Sequence, residues 1–342
     1  MPSVKIAAPA KLNLHLSIGN RRPDGFHGIE SLFLALGFGD TIHIETSPGI
    51  AKASAAIRMD WRLPGGAAPG PCSANEILPQ EENIVSKAVS MFRSRTGYGE
   101  GLAIHIEKRI PMGGGLGGGS SNAASTLLAL NRLASPHGGG LLDPGTLAEM
   151  GAALGSDVPF FMHGAAAAIV SGRGETVRPI AVPRQALGLS LLLVNPGFHS
   201  DTAKAFRLLD EYRQMEANGT SSVTRLDSNP FMPQNPAFRA FSPQVLQDIL
   251  AGPPRNWPFY NDFLPAFTER KENTPFYEAG SAYVEIISGL KGLGADFAGL
   301  SGSGSTCFGV FSQKNTVKFA KKLLLKRWQS VFETITCVPT ML

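Results

Sequence analysis

Between Pro111 and Asn122 the chain reads Pro-Met-Gly-Gly-Gly-Leu-Gly-Gly-Gly-Ser-Ser-Asn, with six glycines in the seven positions from Gly113 to Gly119. Glycine in a strand or helix interior costs roughly 0.5–1 kcal/mol relative to alanine, so such a run serves a backbone that needs positive φ or very close approach to a partner. An alanine-rich helical pattern begins near Ser120, with Ser120 or Ser121 as its cap. The positive end of that helix and the exposed N–H groups of the loop together favour a phosphate. Residues Gly113 to Gly118 also fit G-x-G-x-x-G, but a dinucleotide site needs a strand buried on both faces just before the glycines. Here Leu102, Ile104 and Ile106 alternate with Ala103, His105 and Glu107, the period of a strand with one wet face. The G-x-x-x-x-G-K-[ST] loop fails as well, because Gly119 stands where its lysine is required.

Four other places carry groups able to act on a phosphorylated ligand. In the N-terminal strand Val4, Ile6, Ala8, Ala10, Leu12, Leu14 and Leu16 read as one face, and Lys5, Ala7, Pro9, Lys11, Asn13 and His15 as the other. Pro9 cannot donate to a ladder, so the strand is an edge or bulges there, which aims Lys11 out of the sheet. Arg22-Pro23-Asp24-Gly25 is a turn that presents Phe26 and His27. Asp157 follows a helix expected from Asp143 to Gly155; taken locally it is a helix N-cap before Pro159. Ser301-Gly302-Ser303-Gly304-Ser305 forms a second tight turn between two short strands.

These groups need a scaffold, and 342 residues with 43% hydrophobic and 17% charged side chains supply one of two globular domains. No run of 18 apolar residues and no signal-sequence pattern occurs, so a cytoplasmic protein with no membrane partner is expected. Cys72, Cys307 and Cys337 are odd in number and lack metal-ligand spacing. The net charge of +4 is modest. The cations between Lys314 and Arg327 interleave with Val317, Phe319, Leu323 and Leu324 at helical spacing, a solvated helix face and no sign of a nucleic-acid partner. Residues 47–75 read as a surface excursion and roughly 215–258 as an insertion with a short helix near Gln244 to Leu250. The C-terminal half runs strand, helix, strand-turn-strand, helix, strand, the order of an α+β sandwich.

Three segments resemble motifs of the GHMP kinases: Pro9-Ala10-Lys11-Leu12-Asn13-Leu14, the glycine loop with its serines, and Leu300 to Ser305. Within that superfamily, Pro9 to Asn13, Arg21 to His27, Lys108 to Ala124 and Gly155 to Phe161 are most similar to the 4-diphosphocytidyl-2-C-methyl-D-erythritol kinases. The likeness covers nearly the whole chain except 47–75 and about 215–258, which look longer than the family usually has. It implies an α+β fold of two domains, residues 1–170 binding ATP on a mixed sheet with helices and 171–342 forming a ferredoxin-like sandwich, with the active site between them.

The resemblance also implies the reaction and its residues. ATP, with Mg²⁺, would phosphorylate the 2-hydroxyl of CDP-methylerythritol. Asp157 matches the catalytic base and Lys11 the catalytic lysine, whose cation favours the developing alkoxide. Asn13, Phe26, His27, Thr202 and Phe206 match acceptor-binding positions, His27 reading the cytosine edge and Phe206 stacking on the ring. Phe26 stands where the family usually has tyrosine; it keeps a π-face and loses a hydroxyl. Asn83 and Lys108 match positions near the adenine, although each could equally cap or solvate its element. The run Pro111, Met112, Gly113, Gly114, Gly115, Leu116, Gly117, Gly118, Gly119, Ser120 and Ser121 would hold the phosphates. Asn261-Asp262 matches a structural pair. The rivals are another small-molecule GHMP kinase such as homoserine kinase, a catalytically silent nucleotide binder of the same fold, and a nicotinamide-dependent oxidoreductase.

Overall fold

The computed structural model describes residues 1–61, 83–135, 140–187, 189–219, 241–268, 275–328 and 330–335. Strands β1 (Ser3–Arg21) and β2 (His27–Thr46) form a long antiparallel hairpin. Its turn is closed by Gly25 at φ 82° and by the Arg22 N–H on the Phe26 carbonyl at 2.7 Å. Strand β4 (Leu102–Lys108) pairs with the C-terminal half of β2, and β5 (Ala167–Gly172) with its N-terminal half. Strands β3 (Ala55–Trp61) and β6 (Thr176–Ile180) complete a six-stranded sheet, β3 running parallel to β4. The expected excursion at 47–75 thus contains an edge strand, whose alternating Ile57 and Met59 pack against the core; residues 62–75 lie outside the described residues.

The second sheet has the order β10-β7-β9-β8, from β7 (Ser190–Asn195), β8 (Phe297–Leu300), β9 (Cys307–Phe311) and β10 (Ser330–Ile335), and every pair in it is antiparallel. The chain passes from one sheet to the other between Ile180 and Ser190, whereas the expected division at 170 falls inside β5.

Alternation along these strands builds three cores. Helices α1 (Ile84–Thr96), α2 (Gly118–Ala134), α3 (Pro144–Leu154) and α4 (Val158–His163) cover one face of the first sheet. Helices α5 (Thr202–Ala217), α7 (Phe263–Thr268), α8 (Pro275–Gly292) and α9 (Lys314–Leu324) cover the outer face of the second. The two inner faces meet through Leu32, Leu34, Ile169, Leu191, Leu193, Phe308 and Val310. The expected insertion is tied to this middle layer: α6 (Pro243–Ala251) buries Leu246 and Leu250 there, while residues 220–240 lie outside the described residues.

One expectation about β1 is corrected. Its even-numbered residues do not share a face, because the register slips between Pro9 and Lys11. The bulge there reverses which way the following side chains point. Ile6 and Ala8 therefore face the helices, whereas Ala10, Leu12 and Leu14 face the second sheet. The same slip turns Lys11 and Asn13 inward beside α2, where both are buried.

Candidate active site

The glycine loop enters from β4 over a buried brace. Asp40 accepts from the backbone N–H groups of Arg109 at 2.6 Å and Ile110 at 2.9 Å and pairs with the Lys108 ammonium. Both side chains are almost fully buried, so the Lys108 cation is committed to anchoring the loop's first residues. Asn83, the other position expected near the adenine, caps α1 by accepting from the Val85 N–H at 2.9 Å.

Beyond the brace, Gly113, Gly115 and Gly117 all have positive φ. The carbonyls of this stretch are bound by the protein: Gly113 accepts from the Ser200 N–H, Gly114 from Thr306, Gly115 from the Ser301 hydroxyl and Leu116 from the Lys11 N–H. A side chain at Gly115 would lie 2.3 Å from the Ser301 carbonyl, and one at Gly117 would meet the Lys11 stem at 2.9 Å and the Phe161 ring. The N–H groups from Gly115 to Ser120 have no hydrogen-bond acceptor among the described residues. They stand at the N-terminus of α2, a helix of 17 residues, so open donors and the helix dipole coincide. The expected serine cap is corrected: α2 begins at Gly118, its cap is Gly117, and no side chain bonds there. Ser121 is instead buried, with its hydroxyl unpartnered among the described residues.

Lys11 passes under this loop. Its ammonium donates to Asn13 Oδ1, lies 4.6 Å from the centre of the Phe33 ring and 3.4 Å from Asp157 Oδ2. Asn13 is fixed in turn, its Nδ2 donating to Ser31 Oγ at 2.9 Å and its N–H to Ser301 Oγ at 3.2 Å. Asp157 occupies the cap position of α4 but makes no capping hydrogen bond. Its side chain is 30% exposed against 5% for Lys11, so a fixed cation holds a carboxylate that a ligand can reach. The local reading of Asp157 as a helix cap is overturned in favour of a pair with Lys11.

The other expected acceptor residues gather on the turn before β2 and on α5. His27 Nε2 donates to Asp210 Oδ1 at 2.8 Å, and its ring stacks on Phe206 with centroids 4.9 Å apart and planes 17° from parallel. That face of Phe206 is therefore taken by His27, while Phe263 meets Phe206 edge-on at 5.0 Å. Phe26 is 53% exposed with the Arg173 guanidinium 4.7 Å over its ring. Thr202 opens α5 and bonds Ser303 at 2.9 Å, tying that helix to the second glycine turn. Asn261 donates to the carbonyls of Leu300 at 2.8 Å and Gly302 at 2.7 Å, and Asp262 accepts from the Ile18 N–H at 2.7 Å. Burial pushes the Asp262 carboxyl upward, partly offset by that N–H. Sequence reasoning missed Asp210; its signal is the spacing of four from Phe206 on one helix, which puts both on one face.

No group of three or more His, Cys, Asp or Glu that could hold a metal occurs among the described residues. Mg²⁺ in phosphate sites is usually bound through one or two carboxylates plus substrate phosphates and water, and Asp157 is a reachable carboxylate beside the loop.

Known proteins resemble this chain in sequence and in fold. Residues 83–165 match the GHMP kinases N terminal domain and residues 265–328 the GHMP kinases C terminal domain. The chain is 32% identical over 326 residues to a 4-diphosphocytidyl-2-C-methyl-D-erythritol kinase of Thermodesulfovibrio yellowstonii, covering 95% of this chain and 96% of that one. It is 33% identical over 328 residues to the enzyme of that name from Treponema pallidum, covering 96% and 97%. A crystal structure of 4-(cytidine 5'-diphospho)-2C-methyl-D-erythritol kinase superposes with a TM-score of 0.67 at 27% identity, covering 98% of this chain and 100% of that one. Homoserine kinase from Cytophaga hutchinsonii, at 16% identity and a TM-score of 0.58 over 100% and 96% of the two chains, shares the fold. With its glycine loop, its Lys11–Asp157 pair and full-length relatives of one name, this chain belongs to the 4-diphosphocytidyl-2-C-methyl-D-erythritol kinase family of the GHMP kinases.

Proposed function

We propose that this protein is an ATP-dependent kinase that phosphorylates the 2-hydroxyl of CDP-methylerythritol in isoprenoid precursor synthesis. The observation that carries the reading is the Lys11–Asp157 pair, 3.4 Å apart beside a loop whose N–H groups are open at the start of α2. The loop N–H groups receive the nucleotide phosphates. The Asp157 carboxylate takes the proton of the acceptor hydroxyl, and that oxygen bonds to the γ-phosphorus as the bond from phosphorus to the β–γ bridging oxygen breaks, releasing ADP. Lys11, held by Asn13 and Phe33, places a fixed positive charge where the acceptor oxygen gains negative charge. Bound Mg²⁺ would supply neutralisation of phosphate charge, with Asp157 the carboxylate placed to help hold it.

The acceptor's cytidine end is assigned to His27, Phe206 and Phe26. The His27–Asp210 bond fixes the imidazole with an N–H at Nε2 and leaves Nδ1 for a base edge. Asn83 and Lys108 act on the nucleotide through the elements they cap and anchor. The reading is supported by the relatives' shared name and by an acceptor turn that holds aromatic and imidazole groups suited to a base. Among the described residues no helix is long and apolar enough to cross a membrane, and the substrate is a small molecule.

A phosphate-transfer assay offering CDP-methylerythritol, homoserine and mevalonate tests the assignment. Turnover of the first alone is expected. Rapid turnover of either other acceptor without the first removes it.

A further inference from the structure

We infer that Arg173 is a further acceptor-binding residue, its guanidinium holding the diphosphate that joins the cytidine to the polyol; this rests on the acceptor identity proposed above. Arg173 stands in the tight turn Gly172-Arg173-Gly174 between β5 and β6, with both glycines at positive φ. The turn is pinned at two places that matter for the acceptor. Gly172 is paired with Ile29, two residues beyond His27 on β2. Gly174 lies against Ser156, where an added Cβ would come within 2.7 Å of the serine Cβ, and Ser156 immediately precedes Asp157. The turn therefore sits between the base-reading histidine and the carboxylate that receives the hydroxyl proton.

The side chain continues that placement. Its guanidinium lies 4.7 Å over the ring of Phe26, the residue next to His27. Stacking on an aromatic face fixes the plane of an arginine and leaves its edge N–H groups directed outward. No carboxylate among the described residues lies within ion-pair distance of that guanidinium. The nearest acid in sequence, Glu175, accepts from the backbone N–H of Arg173 at 2.6 Å and so shapes the turn. An acceptor with its base at His27 and its hydroxyl at Asp157 carries its two phosphates across the interval that Arg173 overlooks. A planar cation with free N–H edges matches phosphate oxygens bidentately.

The test combines kinetics with binding. In Arg173→Met the KM for CDP-methylerythritol is expected to rise about tenfold or more, with the KM for ATP within twofold and partial recovery in Arg173→Lys. Calorimetry on wild type and Arg173→Met, with CDP and cytidine as probes, reads the diphosphate contribution without any turnover. CDP is expected to bind the wild type more tightly than cytidine does, with that ratio falling about tenfold in Arg173→Met. A purely structural role for the arginine would weaken both ligands alike and leave the ratio unchanged. An unchanged ratio together with an unchanged acceptor KM overturns the inference while the kinase reading stands. A wild-type protein inactive on CDP-methylerythritol overturns the kinase reading instead, and the CDP-to-cytidine ratio then still reports on Arg173.

Discussion

Residues 113–119 and 301–305 are both glycine turns, and they meet each other with their polar groups committed in different ways. In the first, the carbonyls from Gly113 to Leu116 are bound by the protein, while the N–H groups from Gly115 to Ser120 have no acceptor among the described residues. In the second, every serine hydroxyl is spoken for: Ser301 donates to the Gly115 carbonyl, Ser303 bonds Thr202 and Ser305 donates to the Phe198 carbonyl. Glycine content alone therefore does not separate a phosphate cradle from a brace; the 17-residue helix that starts behind the open N–H groups does. The brace also explains part of the glycine content of the cradle. Gly115 is required by the approach of the Ser301 carbonyl as much as by any ligand.

That contrast makes the largest stability prediction. Gly115→Ala puts a side chain at φ 73° against two carbonyls and is expected to cost roughly 2–5 kcal/mol. Gly119→Ala, whose nearest neighbour is Ile84 at 3.7 Å, should stay within about 1 kcal/mol of wild type. Thermal melts of both variants measure the difference. An unchanged melting temperature in Gly115→Ala would mean that the two turns do not grip each other.

The comparison extends along β1, where Lys11 and Asn13 turn toward the glycine turns and His15 is enclosed by Phe241, Phe259 and Tyr260. Burial lowers the His15 pKa from 6.5 to about 4. Between those values the unfolded chain binds the proton and the folded one does not, so stability is fully present above pH 6.5 and falls as pH drops toward 4. The loss is about 3 kcal/mol at the low end. His15→Phe should flatten the melting temperature over that window, and an unaltered pH profile would assign the acid loss elsewhere.

Ser301→Ala is milder than the changes at Gly115 and His15. It removes hydrogen bonds to the Gly115 carbonyl and the Asn13 N–H and should cost about 1–2 kcal/mol, read from denaturant midpoints. An accompanying fall in kcat would show that Asn13 depends on the second turn for its placement.

The sequence made the glycine loop, Lys11, Asp157 and the order of the C-terminal strands readable, because each rests on a local pattern or a motif of contiguous residues. It left unread what depends on long-range pairing. Local pattern alone reads Asp157 as a helix cap; the resemblance named it together with Lys11, 146 positions earlier, and the distance between them needs the fold. Pro9 signalled a bulge, yet its consequence, the exchange of faces between Ala8 and Ala10, needs the register of β2. Lys108 pairs with Asp40, 68 residues away, a partner that no local pattern announces. Strand β3 was hidden because its seven residues pair parallel to β4 at the sheet edge, without a hairpin turn to announce them.

In the proposed reaction Asp157 receives the acceptor proton beside Lys11. Steady-state kinetics of Asp157→Asn against wild type test it directly. The predicted result is a kcat lower by at least about a hundredfold with the KM for ATP within a few-fold of wild type. A kcat close to wild type in Asp157→Asn would contradict it.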